Sequence, residues 1–361
     1  MSGQNVHGGN IFLHAKNSGC DLKQIADFSA NINPLGCSPK GLQSLMEHIE
    51  LIQHYPDPQG EALKKSICQY YGVQNEQILL GNGAVEILYL LAHYLQPEHV
   101  LVTGPAFSEY ERAAVSAGSK AAAAAMDKTE GFHISAAKIL PHIPQKGILF
   151  LGNPNNPDGC LLNKKEGILL LDAARDKDCL VVIDESFIDF VEESQEHTYI
   201  PYLKEYDNLV ILHSLTKFFA VPGLRLGFAV MAPGLVQALE ARKDPWNVNV
   251  LAQYYGVAAL EDQAFIAKSK QYISKEKDRF YEKMNSIPGI KAYLPTVNFM
   301  LCELENRQLT VRELQDRLRP HHILIRNCEA YDGLDPYFFR IAIKTTEENN
   351  TIYEKIKAVL E

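Results

Sequence analysis

Between residues 100 and 230 the chain repeats one unit: a short apolar run, then an amphipathic stretch, then another apolar run. The runs fall at 100–103, 147–152, 179–183, 209–213 and 226–230, and the stretch 164–175 carries apolar residues at helical spacing. Unbroken apolar runs suit strands covered on both faces. Strands alternating with helices therefore predict an α/β domain with a mainly parallel sheet. Such sheets bind ligands beyond the carboxyl ends of their strands, so the segments just after each run are where function is expected.

Past about residue 262 the pattern changes. A charged helical stretch at 263–284 precedes strand-like runs at 298–302, 322–326 and 337–343. This predicts a smaller α+β carboxyl-terminal domain at 263–361. No Pro/Gly-rich linker marks its start, so the boundary is expected inside or beside a helix. The alanines at 121–125 read as a short strand or a turn filler.

A net charge of −9 argues against nucleic acid as a partner, because that affinity would come from clustered Lys and Arg. A local basic pocket for a small anion remains open. The seven cysteines (Cys20, Cys37, Cys68, Cys160, Cys179, Cys302 and Cys328) form no CxxC, so neither a disulfide framework nor a metal site is expected. The first ten residues are polar and lack a signal-peptide pattern. No apolar run approaches the roughly 20 residues that span a bilayer. Together these predict a cytoplasmic protein without a membrane partner.

Four segments carry chemistry. Ser214-Leu215-Thr216-Lys217, trailed by Pro222-Gly223-Leu224-Arg225, places a lysine directly after a buried strand. That suits an amine held where it can lose its proton and attack an aldehyde, with Ser214, Thr216 and Arg225 able to hold a phosphate. A solvated lysine at a strand end is the plain alternative. Asp184, in Val182-Ile183-Asp184-Glu185, ends another apolar strand 33 residues earlier (217 − 184), about one βαβ unit. Pyridoxal 5′-phosphate (PLP) is a better electron sink when its ring nitrogen is protonated, which a buried aspartate secures. Asp184 could equally cap a helix or hold Mg²⁺, although no Walker A sequence accompanies it. Asn153-Pro154-Asn155-Asn156-Pro157 follows the run at 147–152, with the Asn156 amide able to donate to a phenolate oxygen. Gly81-Asn82-Gly83-Ala84 opens a helix at 84–94, whose amino-terminal N–H groups suit phosphate.

In this order, the four segments resemble the fold-type I PLP enzymes, in the branch of the histidinol-phosphate aminotransferases, over essentially the whole chain. The resemblance implies a PLP-binding large domain at 37–262, preceded by an arm at 1–36 that contributes to the substrate pocket. It gives Lys217 the covalent bond to PLP and Asp184 the ring nitrogen. Asn156 would hold the phenolate oxygen and Phe107 would stack on the ring. Gly83, Ala84, Ser214, Thr216 and Arg225 would surround the phosphate. Tyr55 resembles a tyrosine that reaches the phosphate of a neighbouring subunit, implying a homodimer with shared active sites. Phe187 and Phe107 stand where aminotransferases of the branch often have tyrosine.

The amino-terminal segments His7-Gly8-Gly9-Asn10 and Asp27-Phe28-Ser29-Ala30-Asn31-Ile32-Asn33-Pro34, with Asp244-Pro245-Trp246-Asn247 and Ile325-Arg326-Asn327-Cys328, resemble the cobalamin-pathway L-threonine-O-3-phosphate decarboxylases. That implies a PLP-dependent lyase acting on a phosphorylated amino acid, either L-threonine O-3-phosphate or L-serine O-phosphate. Arg326 and Arg340 would receive its two anionic groups, with His7, Gly8, Asn10, Asn31 and Asn156 adding contacts. A histidinol-phosphate aminotransferase is the nearest alternative. A non-catalytic PLP-binding regulator is a remote one, since the resemblance starting at His7 leaves no room before it for a DNA-binding domain. No GxGxxG follows the first strand, against a nicotinamide-binding protein.

Overall fold

The computed structural model describes residues 8–361; His7 lies outside them. The chain begins with helix α1 (Ile11–Ser18) and the two-residue strand β1 (Ala26–Asp27). Seven strands then build one sheet: β2 (Ile78–Gly81), β3 (His99–Gly104), β4 (Lys120–Ala125), β5 (Ile148–Gly152), β6 (Leu180–Asp184), β7 (Leu209–Ser214) and β8 (Gly227–Val230). Their spatial order is β2-β8-β7-β6-β5-β3-β4. All run parallel except β8, which is antiparallel to both of its neighbours. The alanine run forms the edge strand β4, paired in register with β3.

The centre of this sheet is made of β-branched and large apolar residues that face helices on both sides. Val181, Ile183 and Ile211 belong to one core layer, Val182, Val210 and Leu212 to the other. Helix α2 (Ala84–Leu95) packs Ile87, Leu88 and Leu91 into the second layer, and α3 (Lys164–Arg175) packs Leu170, Leu171 and Ala174 into the first. Each such leucine contributes on the order of 1.5–3 kcal/mol by leaving water. Asn163 starts α3 by accepting the Lys165 N–H at 2.9 Å, a side-chain cap of the expected kind.

The long helix α4 (Gln263–Asn285) leads to a four-stranded antiparallel sheet, ordered β12-β13-β10-β9, of β9 (Ile290–Ala292), β10 (Phe299–Leu304), β12 (Arg326–Asn327) and β13 (Phe338–Ala342). Between β10 and β12 lies β11 (Ile323–Leu324), which pairs in parallel with β1. The run 322–326, expected as one strand, is thus two. Ile325 is unpaired between them, and the pairing passes from the amino-terminal arm to the small sheet. Among the described residues no helix is long and apolar enough to cross a membrane.

Candidate active site

The carboxyl edge of the large sheet collects the expected residues because the parallel strands end there. Phe107 follows β3, Asn156 follows β5, Asp184 closes β6, and Lys217 lies in the single helical turn Leu215–Phe218 after β7. Arg225 comes before its strand instead. β8 runs against its neighbours, so its amino end lies at that same edge. Together these side chains line a cavity of about 400 Å³, with Ala84 at the start of α2 and Ser214 and Thr216 beside Lys217.

Lys217 is half-buried, and its amine is pushed down to about 8. Burial is the largest cause; the charges of Arg225 and Arg340 add to it, and Asp184 opposes. The neutral, nucleophilic amine is therefore far more populated near neutral pH than in a free lysine. Asp184 is held at both oxygens: Tyr110 Oη donates to Oδ2 at 2.8 Å and the Ser186 N–H donates to Oδ1 at 2.9 Å. Burial pushes its carboxyl up, against these two hydrogen bonds and the nearby His213. Tyr110 is itself fixed by stacking on Phe150, with ring centroids 5.2 Å apart and planes at 8°.

At the other end of Lys217, Ser214 and Thr216 share a hydroxyl–hydroxyl hydrogen bond of 2.7 Å. Gly83 does not line the cavity but shapes it. Its φ of +84° is glycine territory, and a Cβ there would fall 2.2 Å from Arg225 Nη2. The guanidinium lies directly on the backbone that opens α2, so a cation and helix amino-terminal N–H groups face one point.

The opposite wall comes from the small sheet and the arm. Arg326 and Arg340 are directly opposed in the β12–β13 register. Like charges so placed repel, which favours a site that receives an anion between them. Arg340 is buried and anchored: Nη2 donates to the Ser29 carbonyl at 2.8 Å and Nη1 donates to Asn156 Oδ1. The Arg340 Nε and the Asn31 Oδ1 are buried without partners. With Oδ1 occupied, Asn156 keeps its NH₂ group as a donor. Gly8 presses on this wall so closely that a Cβ would meet the Ser29 carbonyl oxygen at 2.2 Å. The Gly9 N–H donates to Ser29 Oγ at 2.8 Å, and Ser29 Oγ donates in turn to Asp27 at 2.5 Å.

The structure therefore brings together Lys217, Asp184, Ala84, Phe107, Asn156, Ser214, Thr216, Arg225, Gly8, Asn31, Arg326 and Arg340. Two expected residues stand apart. Asn10 caps α1, its Oδ1 accepting the Leu13 N–H at 3.2 Å, and it lines a neighbouring cavity. Tyr55 is exposed and rests on Trp246, with ring centroids 4.6 Å apart. Three residues that the sequence reading gave no role in the site belong to it: Tyr110, Ser29 through its carbonyl, and Tyr331, whose ring lies against Arg326. Tyr110 stands three residues after Phe107, a helical spacing that could have singled it out.

The donor set fits PLP. Arg225 and the start of α2 suit its phosphate, and Lys217 its aldehyde. Asp184 suits a cationic ring nitrogen, Phe107 a flat ring face and Asn156 a phenolate. The unpartnered Arg340 Nε and the opposed arginines leave room for a second, anionic molecule beside it.

Comparison with known proteins agrees with this geometry. The family profile described as aminotransferase class I and II matches residues 23–356. A threonine-phosphate decarboxylase of Salmonella typhimurium is 34% identical over 356 residues, covering 98% of this chain and 96% of the relative. The crystal structure of a histidinol-phosphate aminotransferase from Clostridium acetobutylicum is similar at a TM-score of 0.87 with 35% identity, covering 93% of this chain and 99% of that one. That of an L-threonine-O-3-phosphate decarboxylase from Porphyromonas gingivalis is similar at 0.81 with 26% identity, covering the same shares.

Proposed function

The chain belongs to the class I and II aminotransferase family, and within it we propose a PLP-dependent decarboxylase of L-threonine O-3-phosphate. The products are carbon dioxide and (R)-1-amino-2-propanol O-2-phosphate, the linker of the cobalamin nucleotide loop. The observation that carries this reading is the opposed pair Arg326 and Arg340, a receptor for a substrate with two anionic groups, in one cavity with Lys217. The relatives named as threonine-phosphate decarboxylases support it.

Bound PLP supplies the electron sink that accepts the electron pair left on Cα when carbon dioxide departs. The protein's own groups do the rest. Arg225, Ser214, Thr216 and the start of α2 would hold the cofactor phosphate, and Asp184, hydrogen-bonded by Tyr110 and Ser186 against the upward push of burial, would hold a proton on the ring nitrogen. Asn156 donates to the phenolate oxygen, and Phe107 covers a ring face. Arg340 and Arg326 would clamp the substrate carboxylate and phosphate and so fix which bond at Cα is broken. Lys217, made a stronger acid by burial, returns a proton to Cα in place of carbon dioxide. Asn31 and Gly8 close the substrate side, and the arm at 1–36, the large domain at 37–262 and the small domain at 263–361 each supply a wall.

A homodimer is part of this proposal. Met46, Ile49 and Ile52 are exposed, as is the pair Tyr55–Trp246. An apolar face of that kind supports a subunit interface, from which Tyr55 would reach the neighbouring cofactor phosphate. The seven free cysteines support a reducing, cytoplasmic setting.

The aminotransferase reading is favoured by the likeness to the Clostridium structure. Carbon dioxide release from L-threonine O-phosphate and L-serine O-phosphate, with no keto acid present, separates the two. Sustained release is expected, and the ratio of rates names the substrate, since one methyl is worth only about 1–3 kcal/mol. Turnover of histidinol phosphate with 2-oxoglutarate, without carbon dioxide release from either phosphorylated amino acid, would replace the proposal with an aminotransferase.

A further inference from the structure

Away from the cavity, three donor side chains converge. His14 lies on α1, Cys20 two residues past its end, and His322 immediately before β11. His14 Nε2 and His322 Nδ1 are 3.3 Å apart across 308 residues of sequence. Both nitrogens and Cys20 Sγ lie within 4.8 Å of one another. A tetrahedral ion with metal–nitrogen bonds of about 2.0–2.1 Å holds two imidazole nitrogens roughly 3.3 Å apart. Cys20 is half-buried and directly follows Gly19, the glycine that ends α1.

We propose that His14, Cys20 and His322 bind one divalent transition cation of the zinc class. One thiolate and two imidazoles suit that class and not magnesium or calcium, which take oxygen ligands. Three protein ligands leave the fourth position to water or to an anion from the neighbouring cavity of about 750 Å³, which His14 and Ser18 line with Arg312 and Arg319. The ion joins α1 to the residue just before β11, reinforcing the β1–β11 pairing that fastens the arm to the carboxyl-terminal lobe. Local cysteine spacing gives no hint of it, because the fold alone brings His322 to the arm.

The PLP-loaded protein, stripped by a chelator and returned to metal-free buffer, is titrated with Zn²⁺ against a chromophoric competitor. A parallel titration with Co²⁺ records the ligand-field bands. One tight equivalent per chain, a raised melting temperature and the visible bands of a tetrahedral site are expected. Cys20→Ser, His14→Gln and His322→Gln should each weaken binding by more than about tenfold, with the PLP spectrum unchanged as proof of an intact fold. Binding that survives all three substitutions, or no binding by the parent protein above that of the Cys20→Ser variant, would overturn the proposal.

Discussion

The two ends of the active-site cavity are built differently. At the cofactor end, Asp184, Lys217, Asn156 and Arg225 are delivered by neighbouring strands of one sheet, each at or within a few residues of its strand's terminus. At the substrate end, Ser29, Asn31, Arg326 and Arg340 come from the arm and the small sheet. They meet through single long-range contacts such as Arg340 Nη2 to the Ser29 carbonyl. Strand ends of a parallel sheet are a fixed frame. A wall assembled from two distant segments is adjustable, and it is the part by which relatives that share a cofactor can differ in substrate.

If this division is right, damage at one end should leave the other's signature intact. The largest effect belongs to the cofactor end. Lys217→Ala should lower turnover by about 10⁴-fold, the upper range for a group that moves protons at the reacting atom. The changed absorbance of bound PLP reads the same lesion directly. At the substrate end, Arg340→Gln should lower kcat/KM by roughly 10²–10³-fold, as expected for one partner of a buried charged contact. PLP should stay bound, and its loss from this variant would break the comparison.

The same variant tests the coupling across the cavity. Uptake of PLP by the apoprotein requires the neutral Lys217 amine, so its rate should rise with pH through about 8 and then level off. Arg340 is one of the charges that hold that value down, so Arg340→Gln should move the inflection upward. An unmoved inflection would mean that the two ends are electrostatically separate.

The smallest effect is expected from Tyr110→Phe. Removing the hydroxyl that donates to Asp184 costs about 1 kcal/mol, a few-fold in kcat. It should also drive the Asp184 carboxyl further up, so activity should fall away at a higher pH on the acid side than in the parent. A pH profile separates this from a simple packing defect.

This contrast also governs what could be read in the sequence. Asp184 and Lys217 announce themselves because each ends or follows an unbroken apolar run, and a strand's end is a local property. Ser29 contributes through a backbone carbonyl, which no side-chain motif marks. The break at Ile325 leaves no local mark because β11 and β12 pair with different partners, the distant Ala26–Asp27 for one and β13 for the other. Asn10 shows the converse case. Its resemblance suggested a substrate contact, while an asparagine just before Ile11–Ser18 is also an ordinary helix cap, and the cap is the role seen.

The β1–β11 pairing has one more consequence. Ala26 and Asp27 hydrogen-bond alongside Ile323 and Leu324, and the Ala342 N–H donates to the Phe28 carbonyl. Residues 26–28 are therefore tied directly to the carboxyl-terminal lobe, although more than two hundred residues of sequence separate them. A chimera that takes its carboxyl-terminal lobe from one relative and its arm from another splits that tie at its seam. A chimera is expected to keep its substrate wall only when both ends come from the same parent.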